Sequence, residues 1–546
     1  MAVAALGSGV GAHEAAARFF LLEESRADVA FAVSLAWMVF VGIAGLLIMA
    51  FPKERHRWYR SGVLVVLAFG LPSGFALLPA LYTGENGNAD NVLLITIDAL
   101  RADYCSVYGS ENPTPNIDAV AERGVVFERA YVTAPWTLPS VYSMCASDYA
   151  PLWLPGQDFR EWVHRVRTAF FEPEEPTIAE RYREKGYHTA FITGNTLLDD
   201  RSRLLRGFDD VYIFPIQIGE TRNPCAGMPL LGPTVERIRP ETARTWPFDS
   251  TRRITAYART FLRHNTGRPY FLWIHYMDPH DPYNPPYAYR DTVTEHAFYP
   301  RKPPGSMWDP ARKEPDWVKP ENKIIIGPEK LYAAEVRYVD DMLGEFIGLA
   351  DPSTWVIIGA DHGEEFWEHG RMSHRNAFYE ESVHVPLIVS GPGCVSRRIA
   401  PPVSYVDLLP TLAGLTGLEA PDYWQGKNLA DLISGKDIPG WERPCFAGCN
   451  DATVAPPSVM VVDGDMKLIL NLVDGSVELY DLSEDPKERN NLAEAGIPPD
   501  AESLQSKAEA WVEEVTERHR TRKAPPPLDA EESEELRKQF EALGYL

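Results

Sequence analysis

A set of polar side chains stands where apolar runs stop. "NVLLITID" ends on Asp98, "TWVIIGADH" ends on Asp361 and His362, and "FLWIHYMDPH" closes with His275, Asp278 and His280. Two carboxylates and an imidazole suit a divalent cation such as Mn²⁺ or Zn²⁺ better than a soft, thiolate-loving ion. A single aspartate at a strand end is commonly the N-cap of the next helix. Several such ends in one chain fit convergence on one crevice better, because strand carboxyl ends meet there in open α/β sheets. A further stretch, "TAPWTLPSVYSM", sets Thr137 two residues before Pro139. A first-turn proline makes Thr137 or Leu138 the N-cap of a helix. The start of a helix offers free N–H groups and the positive end of its dipole, which suits a tetrahedral anion. A threonine hydroxyl held there beside a cation could attack phosphorus or sulfur. From these residues alone, capping and nucleophilic attack are equally good readings of Thr137.

The elements that must position these groups are legible as short apolar runs. They are 91–98, 188–195, 269–278, 354–361 and 385–391, apolar on both faces and separated by helical segments. That pattern predicts buried parallel strands of an α/β sheet. Helices are predicted over 114–124 and 175–186, closed by Gly124 and Gly186. From about Met460 the chain alternates and turns at Asp-Gly pairs, which predicts antiparallel hairpins in a small second subdomain. Two stretches, roughly 215–250 and 283–320, are rich in Pro and Arg without a period and read as surface loops. Arg222, Arg237, Arg239, Arg244, Arg252 and Arg253 lie in or beside the first and could meet an anionic substrate, although solvated loop arginines are commoner.

A net charge of −24 over 546 residues excludes an ordinary nucleic-acid binder, which needs Lys and Arg to displace counterions from phosphates. Six cysteines are too few for a disulfide scaffold; Cys445 and Cys449 are near enough to bridge, but free thiols are the default. Residues 29–51 are uncharged and, as a helix, would reach roughly 34 Å, enough for a bilayer core of about 30 Å. A second uncharged run, 62–82, contains Pro72 and Pro79, which membrane helices tolerate. Between them lie Lys53, Arg55, Arg57 and Arg60, so a transmembrane hairpin with a cytoplasmic loop is expected. The body then faces outward, periplasmic or extracellular, close to the membrane on the short linker 83–90.

In order along the chain come "NVLLITIDALRADYCSVYG", "TPNIDAVAERGVVFERAYVTAPWTLPSVYSM", "GYHTAFITGN", "HYMDPHDPY", "GADHGEEFWEHG", "VPLIVSGPG" and "ELYDLSEDPKERNNLA". From about Asn91 to Ala493 this succession resembles the sulfatase family of the alkaline-phosphatase-like superfamily. The resemblance implies an α/β/α sandwich with a small C-terminal antiparallel sheet. On that scheme 1–28 is a tail, 29–82 the transmembrane hairpin, 91–430 the catalytic domain, 431–495 the subdomain and 496–546 a helical tail. Carried over position by position, it implies Asp98, Asp361 and His362 as ligands of one or two divalent ions (Mn, Zn or Ca). Thr137 falls on the nucleophile, itself a metal ligand, and His280 on the histidine facing the transferred group or leaving oxygen. His374 resembles an additional histidine of related membrane phosphotransferases. For His275, packing remains as good a reading as ligation.

The departures are chemical. Family sulfatases convert a Cys or Ser in C/S-x-P-S-R to formylglycine, whose hydrate expels sulfate by elimination. Here the stretch is Thr137-Leu138-Pro139-Ser140-Val141, Ala99 replaces a second aspartate, and no lysine stands near Gly194-Asn195. Cys145 is not in a convertible motif. A sulfated threonine has no elimination route, whereas a phosphothreonine is opened by water or an acceptor hydroxyl. Three functions are therefore weighed. The first is a membrane-anchored, metal-dependent hydrolase of sulfate or phosphate esters with a Thr nucleophile. The second is a phosphoethanolamine- or phosphoglycerol-type transferase acting on envelope lipid or glycan. The third is a degenerate anion-binding protein.

Overall fold

The computed structural model describes residues 90–168, 176–214, 249–289, 328–522 and parts of 533–539, apart from isolated positions within them. The expected hairpin at 29–82 lies outside the described residues, as do most of the two Pro- and Arg-rich loops. Among the described residues no helix is long and apolar enough to cross a membrane. The sheets and the site belong to one unit, Asn88–Arg259 with Pro269–Leu546; the described part of the other unit is a helix end within Thr260–Arg268.

The centre of this unit is a nine-stranded sheet. Its strands are β1 (Asn91–Ile97), β2 (Val125–Tyr131), β3 (His188–Thr193), β4 (Asp210–Ile213), β5 (Tyr270–Tyr276), β6 (Thr354–Gly359), β9 (His384–Ser390), β10 (Arg397–Ile399) and β11 (Val403–Ser404). A separate two-stranded ribbon, β7 (Glu365–Phe366) and β8 (Met372–Ser373), follows β6. The order across the main sheet is β10-β2-β9-β6-β1-β5-β3-β4, with β11 also on β2. All five apolar runs form strands. The strands β6, β1, β5, β3 and β4 are mutually parallel, so their carboxyl ends share one edge.

One expectation about this sheet fails, and one of its strands was not foreseen. The run at 385–391 is not parallel: β9 lies antiparallel to both β2 and β6. Burial on both faces sets hydrophobicity but not direction, and an antiparallel neighbour needs no helical crossover. Strand β2, "VVFERAY", escapes detection because Glu128 and Arg129 interrupt its apolar run, where the pairing with β9 shifts register.

The helices that matter for the site are α1 (Pro115–Ala121), α2 (Thr137–Ala146), α3 (Ile178–Glu184), α4 (Ser250–His264), α5 (Pro328–Gly344), α6 (Glu380–Val383) and α7 (Pro499–Arg520). The capping box of Thr177 and Glu180 starts α3, and Gly186 just past its end takes a positive φ of 85°. The C-terminal sheet is antiparallel, β12 (Cys445–Ala447), β13 (Ser458–Asp463), β14 (Met466–Asn471) and β15 (Val477–Asp481). Helix α7 lies against it, with Trp511 stacked on Phe446 at 5.2 Å between ring centroids. Trp511 also meets the ring edge-on of Tyr149, next to the end of α2, at 5.0 Å. Cys445 and Cys449 are buried free thiols, not a bridge.

One ion pair ties the loop after β8 to the segment before β13: Arg375 Nη1 lies 2.5 Å from Asp451 Oδ2, with both side chains at or below 3% exposure. Removing one partner of a buried pair leaves the other charge uncompensated. Asp451→Ala is therefore expected to lower stability by about 3–5 kcal/mol, read as a drop in the urea midpoint at unchanged slope.

Candidate active site at the strand ends

The carboxylates, Asn195 and His362 of the site are delivered by the ends of parallel strands. Asp98 is the first residue after β1, while Asp361 and Asn195 are each the second residue after their strands, β6 and β3. His275 sits inside β5, where it pairs in register with Thr96 of β1 and Thr193 of β3. After Asp98 the chain turns sharply. Ala99 takes a φ of 60°, its carbonyl accepts from the Tyr332 hydroxyl of α5 (2.7 Å), and its N–H donates to Asp361 Oδ1 (3.3 Å). A buried non-glycine residue in this left-handed region is uncommon, and such residues concentrate at functional sites. Gly363 serves the loop beyond β6: a Cβ there would lie 2.0 Å from the Glu381 carbonyl oxygen, so only glycine allows this close approach.

The resulting group is fully buried. His362 Nε2 lies 3.1 Å from Asp98 Oδ1 and 3.6 Å from Asp361 Oδ2; His275 Nε2 lies 3.4 Å from Asp98 Oδ2 and 4.0 Å from Asp361 Oδ2. Three of these atoms, Asp98 Oδ1, Asp361 Oδ2 and His275 Nε2, have no hydrogen-bond partner. His362 Nδ1 faces the Gly363 carbonyl at 2.8 Å, so it carries a proton and Nε2 is left to face the carboxylates. Two buried carboxylates pointing at one spot repel unless something positive sits among them, a proton on His362 in the bare site or a cation in its place. The donor set thus fits a divalent ion, and Asp98, Asp361 and His362 form one of the groupings able to hold one. The charges tell the same story. Burial alone would raise Asp98, but His280, His275 and His362 hold it well below the usual carboxylate range. Burial and the facing Asp98 push Asp361 up, while His362, despite its own burial, is lifted to about 9 by Asp361 and Asp98.

Thr137 opens α2 rather than capping it. Trp136, extended at φ −167°, is the N-cap, and Thr137 already has helical geometry with no capping bond from its side chain. The cap expectation was one residue off, because a proline at the third helical position is tolerated as well as one at the first. Released from that duty, Thr137 Oγ1 points into the strand-end group. It donates to Asp98 Oδ2 at 3.5 Å, and lies 3.3 Å from His362 Nε2 and 3.5 Å from the Asn195 amide nitrogen.

Three imidazoles line the approach. His362 and His374 are 4.3 Å apart between ring centroids, His280 and His374 4.8 Å, and His280 and His362 6.3 Å. Burial together with His362, His280 and Arg375 keeps His374 well below its ordinary value, so it is neutral near pH 7. Its Nδ1 is 3.0 Å from Glu364 Oε1, and burial raises Glu364 to about 8. Ser373 and Arg375, on either side of His374, both have φ above 70°, a second concentration of strain.

The structure thus brings Asp98, Thr137, His280, Asp361, His362 and His374 together. Asp278 goes elsewhere, accepting from the Thr251 hydroxyl at the start of α4 (2.6 Å). His275, ambiguous in sequence, faces the carboxylates. Two participants were missed. Asn195 donates to Asp98 Oδ2 at 3.0 Å, and its place two residues past β3, as Asp361 is past β6, was the available signal. Glu364 had none, since "DHGEE" does not say which glutamate turns inward. Of the named loop arginines only Arg252 and Arg253 are described, and Arg253 lies over the Phe214 ring.

Residues 90–418 match the family model described as Sulfatase, and residues 367–517 match the one described as N-sulphoglucosamine sulphohydrolase, C-terminal. The chain is 28% identical over 434 residues to the uncharacterized sulfatase YidJ of Escherichia coli K12, covering 74% of this chain and 82% of that protein. To the choline-sulfatase of Rhizobium meliloti it is 26% identical over 446 residues, again 74% and 82%. The crystal structure of the phosphonate monoester hydrolase of Agrobacterium radiobacter superposes with a TM-score of 0.56 at 20% identity, over 80% of this chain and 100% of that one. That likeness is one of fold.

Proposed function

The chain belongs to the sulfatase family, and from that premise we propose that it cleaves phosphate or phosphonate esters in preference to sulfate esters, with Thr137 as nucleophile. That it is a sulfatase-like ester hydrolase follows from its family and relatives. The observation supporting the finer reading is the Thr137 hydroxyl. It is fully buried, free of capping, and aimed at Asp98, His362 and Asn195.

A divalent ion held by Asp98, Asp361 and His362, with His275 alongside, would neutralise the incoming anion and acidify a nearby hydroxyl. The chain's own part is positional and acid–base. Asp98 Oδ2 accepts the hydrogen of Thr137 Oγ1, and Asn195 fixes that carboxylate. As Oγ1 bonds to phosphorus, the bond from phosphorus to the alcohol oxygen breaks, and the imidazole of His280 supplies the proton that oxygen needs, with the neutral His374 beside it. Water attacking phosphorus then breaks the Thr137 Oγ1–P bond and returns a proton to Oγ1. Sulfur lacks so easy an exit from threonine, which is why phosphorus is preferred here. Anchoring by residues 29–82, with the site facing outward, and a lipid- or glycan-borne ester as substrate are part of the same proposal.

The test compares an aryl phosphonate monoester, an aryl phosphodiester and the matching aryl sulfate on the full chain supplied with Mn²⁺ or Zn²⁺. A phosphorus ester is expected to turn over at least about a hundred-fold faster than the sulfate. Turnover of the sulfate alone would sink the proposal and favour the reading suggested by the choline-sulfatase relative. No turnover of any ester would favour an anion-binding role.

A further inference from the structure

Outside the strand-end group, a second set of ligand-type side chains meets in the interior. His369 lies in the turn between β7 and β8, Glu381 in α6, and Glu488 a few residues beyond β15. One ligand atom of each, a ring nitrogen of His369 and a carboxylate oxygen of Glu381 and of Glu488, lies within 4.8 Å of the other two. The side chains of His369 and Glu381 are each 8% exposed, and that of Glu488 is fully buried. His369 Nε2 and Glu381 Oε2 face each other at 3.6 Å, too far for a hydrogen bond, and neither has another partner.

Charge in this region is out of balance. Lys467, fully buried, lies 2.9 Å from Glu380 Oε1 and 2.8 Å from Glu488 Oε1, so one ammonium serves two carboxylates. His384 also faces Glu380, and Arg101 is engaged with Asp103 and Glu368. Glu381, with His369 and Arg101 as its positive neighbours, and Glu365 add two more carboxylates; Glu365 Oε1 takes the backbone N–H groups of His369 and Arg371, while its Oε2 has no partner. Burying that much negative charge is costly unless it is paired.

The His369 ring is already aimed. It stacks on Tyr379 with centroids 3.6 Å apart and planes 11° from parallel, and the backbone N–H of His369 donates to Glu365. Glu381 also lines a cleft of about 630 Å³ open to solvent, which gives a small ion a way in. We propose that His369, Glu381 and Glu488 form a second divalent-cation site, separate from the Asp98 group. One imidazole and two carboxylates suit Zn²⁺ or Mn²⁺. Its effect is structural. The cation clips the segment after the C-terminal sheet to α6 and to the β7–β8 ribbon. The same α6 carries the Glu381 and Ser382 carbonyls that accept from the N–H groups of Glu364 and Gly363, next to His362.

The test counts ions. Full-length protein, stripped by chelator and dialysed, is titrated with ZnCl₂ or MnCl₂, and bound metal is measured by mass spectrometry alongside thermal unfolding. His369→Gln and Glu381→Gln are each expected to lose one equivalent and its share of the rise in Tm, while Asp98→Asn loses the strand-end equivalent and keeps this one. Binding and Tm unchanged in both glutamine variants would overturn the second site. If Asp98→Asn loses nothing and His369→Gln loses the sole equivalent, this site stands and the catalytic metal reading fails. Should neither glutamine variant fold, Asp98→Asn decides: an equivalent retained supports the site, and none retained overturns it.

Discussion

Replacing Thr137 by alanine is expected to lower kcat/KM at least about a thousand-fold on the best substrate, because the bond-forming oxygen is removed. Thr137→Ser keeps that oxygen and is expected to retain activity within roughly tenfold, since only a methyl group is lost. Stability should change little. The hydroxyl caps nothing, and alanine is at least as good a helix former at an N-terminal position. The informative result is thus a dead variant with an unchanged Tm. If Thr137→Ala keeps more than a tenth of wild-type kcat/KM, the nucleophile is water or another group. The threonine would then only shape the floor of the site.

The second large effect concerns the carboxylate pair. Asp361→Asn is expected to weaken divalent-ion binding by at least about a hundred-fold and to lower kcat by a similar factor or more, because one of two anionic ligands becomes a neutral amide. The same substitution should have opposite effects on stability with and without metal. In chelator, Asp98 and Asp361 face each other across a buried space with unpartnered oxygens, and removing one charge relieves that repulsion. With excess Mn²⁺ or Zn²⁺ the wild type gains binding energy that the variant lacks. Thermal melts of both proteins under both conditions should therefore cross. Parallel shifts, with the variant less stable throughout, would argue against a cation between these residues.

Much of this arrangement was legible in sequence for a definite reason. An apolar run broken by Asp98 or by Asp361-His362 marks both a buried strand and its polar end, so position along the chain and chemistry are read together. Side-chain direction is another matter. His275 interrupts an apolar strand, and only the register that seats it beside Thr96 and across from Asp98 decides between packing and ligation. Asn195 looks like an ordinary loop residue until β3 is placed two strands from β1. Thr137 does lie beside the strand-end group, but with another local duty than expected, since helix starts are uncertain by a residue or so and Trp136 is an unusual N-cap. The direction of β9 depended on pairing that no local pattern records.

The sheet order also has a consequence for biosynthesis. Strand β1 is central, yet one of its two neighbours, β6, is made far later: the bond from Ala99 to Asp361 spans 262 positions. At roughly 5–20 residues per second, a ribosome finishes β1 on the order of 13–50 s before β6 exists. Through that interval an apolar strand waits with an unpaired edge, which makes the nascent chain a natural client for holding chaperones. It also leaves Thr137, the proposed nucleophile, without His362 and Asp361 until two-thirds of the chain has been synthesised, so the proposed chemistry stays silent while the protein is being made.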